Sequence, residues 1–431
     1  MATKTINFGF GDTSFAVTLP QEKIIYEIEG KPAQAIINVP EAIQEALKNP
    51  IGSAPLQEIV KQGDKVVLVV SDITRGWIQS SVFLPILLNE LNSAGIPDQD
   101  IAIVIALGSH RPHTEQENLA VCGEEVCRRV TIHMHNCLDE SQLVYMGTTK
   151  RGTPAYINKH VANADKVILT GGIVFHLLGG FGGGRKSIMP GVSGNVTIQT
   201  NHSLALNAQV GHGANPDCMS DKLTGNPFHE DMTEVAAFVN PDFLFNAVYT
   251  PEGKFAQFFA GHWLKAWEAG CQKVEEIYGI PITQQADLVI ASAGGFPKDI
   301  NLYQGSKTID NAYMAVKPGG VMLLFMECRD IAEPAEFSDW FQFKDSLEFE
   351  KAVRANFTIP GFIAFKLSEI AKTNTVIVVT KPENADFIRK TGYIPATSAD
   401  EALALAKKAL GKEEFTITCM THAANTAPLL K

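Results

Sequence analysis

Lys186 lies near the end of the most glycine-rich segment of the chain, residues 179–187, whose sequence is GGFGGGRKS. Glycines allow a ligand to approach the backbone closely, and successive backbone N–H groups can bind an anion. The adjacent Arg185, together with partial desolvation, would lower the pKa of the Lys186 amine and make the amine nucleophilic. His176 lies ten residues before Lys186, and His202 lies sixteen residues after it. These residue types favour a covalent cofactor site in which the loop binds an anionic part of the cofactor.

The same segment departs by one residue from a phosphate-binding loop. That pattern requires a glycine directly before its lysine, whereas Arg185 separates Gly184 from Lys186. A kinase-like nucleotide-binding protein is therefore one alternative, and a protein that binds a small anion without catalysis is another. His202 has no second histidine three or four residues away, so the sequence contains no zinc-binding histidine pair on one helix there.

Two other polar clusters directly follow apolar runs. Residues 65–70 precede DITR at 72–75, and residues 101–107 precede GSHRPH at 108–113. A third run, residues 167–170, leads toward the glycine loop. Short β-branched runs are typical of buried parallel strands, and the helical patterns between them predict a doubly wound α/β sheet. Because ligands bind at the carboxyl ends of such strands, we expect the three clusters to converge on one crevice.

Within these clusters, an arginine and two histidines can do chemistry. Arg75 can bind a carboxylate or a phosphate through two parallel hydrogen bonds. His110 suits general base catalysis because the ordinary pKa of histidine lies near neutrality. His113 comes just before a capping-box pattern at residues 114–117, which favours a structural role for it.

A second series of apolar runs predicts a second, smaller α/β domain, and its members are residues 288–290, 321–325, 375–379 and 415–420. Glycine and proline in residues 278–281 end the helical pattern before them. We therefore expect two domains, residues 1–278 and residues 279–431, with parallel-type sheets and an active site in the cleft between them. In the second domain Tyr303 and Lys307 are four residues apart, so they share one face near the start of a helix, where an anion can bind.

The composition indicates a soluble cytoplasmic protein. The chain has 431 residues, of which 45% are apolar and 19% are charged. It contains neither an apolar run of roughly eighteen residues nor a basic leader, so we predict no membrane span and no secretory signal. Its net charge of -11 argues against a nucleic-acid partner. The seven cysteines are scattered without a Cys-x-x-Cys pair, so we predict neither disulfides nor a structural zinc site.

Taken together, five motifs resemble the nickel-pincer lactate racemase family, and the resemblance covers nearly the whole chain. The motifs are DITR at 72–75, GSHRP at 108–112, His176 with the glycine loop up to residue 187, NH at 201–202 and YQGSK at 303–307. Each motif alone would be weak, but five in this order are specific. The resemblance implies an isomerase, namely a racemase or epimerase of a 2-hydroxy acid. It implies hydride transfer to and from a cofactor through a transient keto acid.

The resemblance also implies the cofactor and its attachment. The implied cofactor is the nickel-pincer nucleotide, pyridinium-3-thioamide-5-thiocarboxylic acid mononucleotide nickel. It is implied to be joined covalently to Lys186 through a thioamide. His202 is implied as a ligand of Ni(II), a role that suits imidazole beside soft sulfur donors. The other implied cofactor contacts are Asp72, Thr74, Gly182, Gly183, Gly184 and Arg185. The implied partners are proteins that make the nucleotide and a small 2-hydroxy acid substrate.

By the same resemblance, His110 and His176 flank the substrate on opposite faces, and each can remove the hydroxyl proton. Two bases are needed because the hydride returns to the other face of the keto acid. Asp72 is implied to orient a histidine or the arginine. The implied substrate-binding residues are Arg75, Tyr303, Gln304, Lys307, Leu178, Trp77 and Ile363.

Departures from the family pattern concern the substrate. Many members have Pro-x-Pro directly after the Thr-Arg of the first motif, whereas residues 76–78 are GWI here. Where lactate racemase has a tryptophan after an Ile-Pro dipeptide, this chain offers Ile363, and His113 replaces a residue that is often small. The resemblance therefore specifies the chemistry more closely than the substrate, which could be lactate, another short aliphatic acid, malate or a larger hydroxy acid.

Overall fold

The structure, a computed structural model, describes residues 2–431. Its strands are β1 (Thr3–Phe10), β2 (Thr13–Pro20), β3 (Ile24–Ile28), β4 (Val66–Ser71), β5 (Ile101–Ala106), β6 (Thr131–Met134), β7 (Leu143–Thr148), β8 (Pro154–Asn158), β9 (Lys166–Gly172), β10 (Phe175–His176), β11 (Gly180–Phe181), β12 (Phe243–Tyr249), β13 (Phe255–Gly261), β14 (Gly279–Ile282), β15 (Ala286–Ser292), β16 (Val316–Phe325), β17 (Thr375–Val379), β18 (Ile394–Ala396), β19 (Ile417–Met420) and β20 (Ala427–Leu430). Its α-helices are α1 (Val39–Lys48), α2 (Leu56–Ile59), α3 (Ser80–Ser93), α4 (Glu115–Cys122), α5 (Glu124–Arg129), α6 (Lys159–Ala162), α7 (Asn195–Ser203), α8 (Pro227–Val239), α9 (Lys265–Tyr278), α10 (Leu302–Ala315), α11 (Ala335–Ser338), α12 (Ser346–Ala355), α13 (Ile359–Thr373), α14 (Ala385–Lys390) and α15 (Ala399–Leu410). No helix among residues 2–431 combines the length and the apolar character needed to cross a bilayer.

The chain forms two compact units. The larger unit comprises Pro32–Ala205 and Pro216–Ile277, and the smaller unit comprises the residues up to Lys31, Leu206–Asn215 and Tyr278–Lys431. Each unit contains a six-stranded sheet. The predicted α/β class is therefore confirmed.

In the larger unit the strand order is β13-β12-β9-β4-β5-β6. All neighbouring strands are parallel except β13, which runs antiparallel to β12. The strands predicted at residues 65–70, 101–107 and 167–170 are confirmed as β4, β5 and β9. Their apolar side chains pack with α3 residues such as Phe83 and Leu87 in one core. The carboxyl ends of these three strands consequently lie side by side, as expected for the polar clusters that follow them.

In the smaller unit the strand order is β18-β17-β16-β15-β19-β3, and every neighbouring pair is parallel. The four predicted apolar runs correspond to β15, β16, β17 and β19. Side chains of β1 and β2, including Phe8 and Val17, pack against this sheet together with α15. A hairpin from the start of the chain thus completes the core of this unit.

The boundaries of the two units differ from the predicted division into residues 1–278 and residues 279–431. The start of the chain belongs to the smaller unit. The physical reason is the pairing of β3 with β19, a contact between residues far apart in sequence. The predicted break at residues 278–281 does coincide with a unit boundary. Instead of a linker, however, Gly279–Ile282 forms β14, which pairs in parallel with β20.

Asp287 joins the starts of two neighbouring strands of the smaller unit. Its carboxylate accepts hydrogen bonds from the Thr416 backbone N–H and hydroxyl, both at 2.9 Å, and from the Lys412 Nζ at 2.8 Å and the Lys317 Nζ at 3.1 Å. Burial raises the pKa of Asp287, but the hydrogen bonds to Lys412, Thr416 and Lys317 outweigh burial and hold the pKa below its ordinary range. The ionised carboxylate therefore stabilises the folded state.

Asp287→Asn should lower the free energy of unfolding at pH 7 by about 1–3 kcal/mol, because charged hydrogen bonds are lost at a buried position. A carboxyl group whose pKa is lower in the folded state stabilises the protein above its unfolded pKa, and this contribution disappears as the pH falls. The difference between wild type and variant should thus narrow below about pH 4, as measured by chemical denaturation at several pH values.

Asp386→Asn is the matched control. The Asp386 side chain is 93% exposed and pairs with Arg389 on the same helix, so the substitution should change stability by less than about 0.5 kcal/mol. Equal effects of the two substitutions at pH 7 would contradict the role given to Asp287.

Candidate active site

The glycine-rich segment follows β9, which lies between β12 and β4 in the larger unit. After β9, Phe175–His176 pairs antiparallel with Gly180–Phe181. A short 3-10 helix, Gly184–Ser187, then contains Lys186. The segment therefore turns back on itself at the carboxyl end of the sheet, where α/β folds bind ligands.

Lys186 and His176 are in direct contact, with 2.6 Å between the Lys186 Nζ and the His176 Nε2. The other ring nitrogen, His176 Nδ1, accepts the backbone N–H groups of Leu178 at 3.2 Å and of Gly179 at 3.0 Å. Since an accepting nitrogen cannot also hold a proton, the neutral ring has its hydrogen on Nε2. The Lys186 amine must accept that hydrogen, and only the uncharged amine has the lone pair to do so.

The surroundings favour this uncharged amine. Burial lowers the pKa of Lys186 well below its ordinary value, and the charges of Arg75 and Arg185 lower it further. Burial likewise lowers the pKa of His176, with Lys186 as the next cause. The effect of Arg185 on Lys186 is the one that their adjacency in sequence predicted.

Asp72 and His110 form a second pair at the ends of the neighbouring strands β4 and β5. The Asp72 Oδ2 lies 2.6 Å from the His110 Nδ1, and the Thr74 hydroxyl donates to the Asp72 Oδ1 at 2.7 Å. Burial raises the pKa of Asp72, but hydrogen bonds from His110 and Thr74 outweigh it and lower the pKa. Ionised Asp72 accepts the Nδ1–H, so the lone pair of the His110 ring is on Nε2. The His110 side chain is 48% exposed, which allows Nε2 to act as a base.

His113 has the structural role that its position favoured. Its Nε2 accepts the Ile73 backbone N–H at 2.8 Å, and its Nδ1 lies 3.0 Å from the Asn118 Oδ1. The predicted capping box between Thr114 and Glu117 is confirmed. His113 thus fixes the turn after β4.

His202 lies on α7 and is buried. Its Nδ1 lies 2.8 Å from the Ile198 carbonyl oxygen, so Nδ1 donates and the ring lone pair is on Nε2. Burial, and then the charge of Lys186, lowers the pKa of His202 to about 3. A neutral imidazole is the form that binds a transition metal. Among residues 2–431, no three His, Cys, Asp or Glu side chains are arranged to hold a metal ion.

Arg185 is directed into the protein, although we expected it beside Lys186 in the anion-binding loop. Its Nη1 donates to the Phe181 carbonyl at 2.9 Å, its Nη2 to the Gly179 carbonyl at 2.6 Å, and its Nε to the His229 Nδ1 at 3.0 Å. The guanidinium carbon lies 3.8 Å from the centre of the Trp267 ring. Burial lowers the pKa of Arg185 to about 9. All three kinds of guanidinium nitrogen are thus used to hold the loop, which corrects the expectation that this residue contacts the cofactor.

Much of the glycine backbone is also used within the protein. The Gly182 N–H donates to the Val174 carbonyl at 2.7 Å, and its carbonyl accepts the Trp267 indole N–H at 2.8 Å. The Gly184 N–H donates to the Asn246 Oδ1 at 2.9 Å. Buried backbone groups require such partners. The N–H groups of Gly182 and Gly184 are therefore already paired and are not open to an anion, contrary to our expectation. Gly184 also allows close packing, because an added Cβ would lie 2.5 Å from the Trp267 Cδ1.

The turn after β4 carries three more of the predicted residues of the larger unit. Thr74 and Arg75 are exposed on the 3-10 segment Ile73–Ile78. Trp77, on the same segment, is 40% exposed. Leu178, in contrast, is buried and reaches His176 through its backbone N–H. Arg75 and Trp77 are thus accessible to a ligand.

In the smaller unit, three predicted substrate residues lie on the first turns of α10. The Asn301 side chain caps this helix by accepting the Gln304 N–H at 2.8 Å. Gln304 and Lys307 are exposed, and Tyr303 is half-buried. The predicted helix start is confirmed, with polar groups suited to an anion. Ile363, on α13, is buried.

Sequence reasoning missed three residues that hold the loop, namely Asn246, Trp267 and His229. Asn246 could have been noticed as the one amide in the otherwise apolar strand Phe243–Tyr249. Trp267 and His229 lie on amphipathic helices. On the apolar face of such a helix, the sequence pattern does not distinguish an aromatic residue that supports a loop from an ordinary core residue.

The chain is similar to known proteins along most of its length. Residues 10–213 match the family described as lactate racemase N-terminal domain, and residues 282–425 match the lactate racemase C-terminal domain. The chain is 32% identical over 415 residues to the lactate racemase of Thermoanaerobacterium thermosaccharolyticum, covering 95% of each protein. It is 34% identical over 328 residues to the lactate racemase of Lactiplantibacillus plantarum, covering 76% of this chain and 73% of that protein.

Solved structures give the same result. The lactate racemase apoprotein from Thermoanaerobacterium thermosaccharolyticum matches with a TM-score of 0.87 and 30% identity, over 99% of this chain and all of that one. A protein from Thermotoga maritima matches with a TM-score of 0.63 and 18% identity, over 91% of this chain and 98% of that one. The second likeness concerns the fold alone.

Gly183→Ala should destabilise the protein, because Gly183 has a φ of +69° and an added Cβ would lie 2.8 Å from the Asn246 Oδ1 and 2.9 Å from the Gly172 carbonyl oxygen. We expect a loss of about 2 kcal/mol or more in the free energy of unfolding. Gly182→Ala is the matched control, since its Cβ would lie no closer than 3.6 Å to Val174, and it should cost less than about 1 kcal/mol. Equal denaturation midpoints for the two variants would argue against this packing role.

Proposed function

Because this chain belongs to the lactate racemase family of isomerases, we propose that it interconverts the enantiomers of lactate or of a similar 2-hydroxy acid. The observation that supports this proposal most directly is the state of two histidines in one unit. His110 has its lone pair on Nε2, because Asp72 accepts its Nδ1–H. His176 has its hydrogen on Nε2, because two backbone N–H groups occupy its Nδ1. One ring thus offers a proton acceptor, and the other offers an N–H that can donate a hydrogen bond.

Inversion at the carbon that bears the hydroxyl group needs a group on each face of the substrate that can interact with the hydroxyl hydrogen. In the proposed reaction the C2 hydrogen leaves as a hydride and the hydroxyl hydrogen leaves as a proton, so that a keto acid forms transiently. His110 would take the hydroxyl proton at Nε2, and the buried carboxylate of Asp72 would stabilise the resulting imidazolium. His176 would provide the second proton-handling group on the other face, where the returning hydride inverts the centre.

The substrate carboxylate needs a cationic partner. Arg75 is exposed beside Asp72, and its guanidinium can bind a carboxylate through two parallel hydrogen bonds. From the resemblance, we extend the substrate contacts to the α10 residues Tyr303, Gln304 and Lys307. Trp77, Leu178 and Ile363 are the residues proposed to set the preference for a substrate side chain.

For the hydride acceptor we propose the nickel-pincer nucleotide. When bound, it would supply a pyridinium ring that takes the C2 hydride and returns it. The residues present fit such a group: Lys186 offers an uncharged amine for covalent attachment. His202 offers an imidazole that stays neutral, with its pKa lowered to about 3. Thr74 and the Gly183 backbone are proposed to contact the phosphate, whereas Arg185 supports the loop from behind.

The proposal also includes a cytoplasmic location and dependence on proteins that make the nucleotide. The location follows from the composition, and the dependence follows from the resemblance, because the family relies on other proteins to make its cofactor. Production of the chain with and without those proteins would test the dependence, because only the first preparation should acquire the adduct.

The decisive experiment uses protein from a host that makes the nucleotide. Incubation with D-lactate and, separately, with L-lactate should give the same mixture of enantiomers, as measured by chiral chromatography. Intact mass and peptide mapping should locate a nickel-containing adduct on Lys186, and Lys186→Ala should abolish both the adduct and the interconversion.

Two results would contradict the proposal. One is a chain that carries the adduct but interconverts neither lactate nor any acid in a panel of chiral 2-hydroxy acids. The other is an unmodified chain that binds ATP tightly and turns it over, which would restore the kinase alternative.

Asp72→Asn should reduce kcat by about 100-fold or more with a small change in KM, because an amide no longer fixes the His110 hydrogen on Nδ1 or stabilises the imidazolium. Initial rates of racemisation at saturating lactate would measure this. Asp100→Asn is the control, as Asp100 is a carboxylate just before the other end of β5 that pairs with Lys65. An unchanged kcat in Asp72→Asn would remove His110 from its role as base.

A further inference from the structure

The contact between Lys186 and His176 concerns the chain before any cofactor is attached. The His176 hydrogen points at the amine because its Nδ1 accepts two backbone N–H groups, from Leu178 and Gly179. Transfer of that hydrogen to the amine would leave an imidazolate, which is far less stable than imidazole. His176 therefore holds Lys186 as a free base, in addition to any part it takes in racemisation.

From this geometry, we propose that the protein catalyses its own covalent loading, with His176 as the residue that prepares Lys186 and assists the acylation of its amine. The inference rests on the proposed function only for the identity of the acyl donor, a thiocarboxyl group of the nucleotide. The preparation of Lys186 itself follows from the contacts of the chain.

The acylation step is a condensation. The Lys186 Nζ lone pair leaves its hydrogen bond with His176 and attacks the thiocarboxyl carbon, so that a C–N bond forms and the C–O bond breaks. The oxygen departs as water with one hydrogen from the amine and one from the thiol, and sulfur remains as the thioamide. Nothing is oxidised or reduced. The His176 Nε2–H, released from the amine, donates to the oxygen on which negative charge develops.

The charges around the amine act in the same direction. Arg75, Arg185 and His176 face Lys186, and Lys186 in turn acts on His202. The two arginines are cationic, so an ammonium group at this position is repelled. Arg185 donates hydrogen bonds to the carbonyls of Gly179 and Phe181 and to the ring of His229. None of these groups carries a negative charge that would cancel the positive charge of Arg185 near the amine.

The test uses the full chain without cofactor and a small general acylating reagent, N-hydroxysuccinimidyl acetate, at limiting concentration and pH 7. Peptide mass spectrometry measures the acetylation rate of each lysine. Lys407 serves as the internal reference because it is exposed on α15. We expect Lys186 to react at least ten times faster than Lys407.

Two substitutions separate His176 from burial. His176→Phe keeps a ring but removes the N–H donor, and it should slow the acetylation of Lys186 at least tenfold while Lys407 is unaffected. His176→Gln restores an N–H donor and should recover most of the rate. The matched control is His133→Phe, since His133 is a half-buried histidine stacked on His160 elsewhere in the unit, and it should leave Lys186 unchanged.

The inference is overturned if Lys186 reacts no faster than Lys407, or if His176→Phe reacts like the wild type while its melting temperature is retained. Racemisation by the loaded chain is measured separately. Fast, His176-dependent acetylation without racemisation would preserve this inference and remove the proposed function. Racemisation by the loaded chain together with slow acetylation of Lys186 would support the proposed function and contradict this inference.

Discussion

A buried guanidinium holds the loop on which the candidate site depends. Desolvation of a charge costs several kcal/mol unless the surrounding groups satisfy it, and the chain satisfies Arg185 with two loop carbonyls, His229 and the face of Trp267. Because both carbonyls belong to the segment just before Arg185 in sequence, this constraint forces the loop to fold back on itself. The same turn brings His176 against Lys186.

The choice of partners for Arg185 also determines the electrostatics. A carboxylate partner would cancel the positive charge and would itself favour an ammonium at Lys186. Carbonyl dipoles and an aromatic face satisfy the guanidinium without a formal negative charge, so its field still reaches the neighbouring amine. One residue therefore supports the backbone and lowers the pKa of the lysine beside it. Asp72, the buried carboxylate of the site, is placed instead against His110, where its charge favours a proton acceptor.

The sequence predicted the strands and the convergence of the polar clusters, because a strand buried on both faces requires a nearly continuous apolar run, as at residues 65–70 and 101–107. The pairing of Asp72 with His110 follows from adjacent strand ends. Two things could not be predicted. The pairing of β3 with β19 joins segments far apart in sequence. The glycine loop has the composition of an anion-binding loop, but whether its N–H groups are open depends on partners such as Asn246, which lie far from it in sequence.

The two histidines also differ in what attachment at Lys186 does to them. His110 has its orientation fixed by Asp72, a partner that a cofactor leaves in place. His176 depends on an amine lone pair that acylation removes, because the nitrogen of a thioamide no longer accepts a hydrogen bond. Its Nε2–H then has to find another acceptor, and a substrate oxygen is the group that the proposed reaction brings to it. In the proposed scheme, loading thus converts His176 from a partner of the lysine into a partner of the substrate.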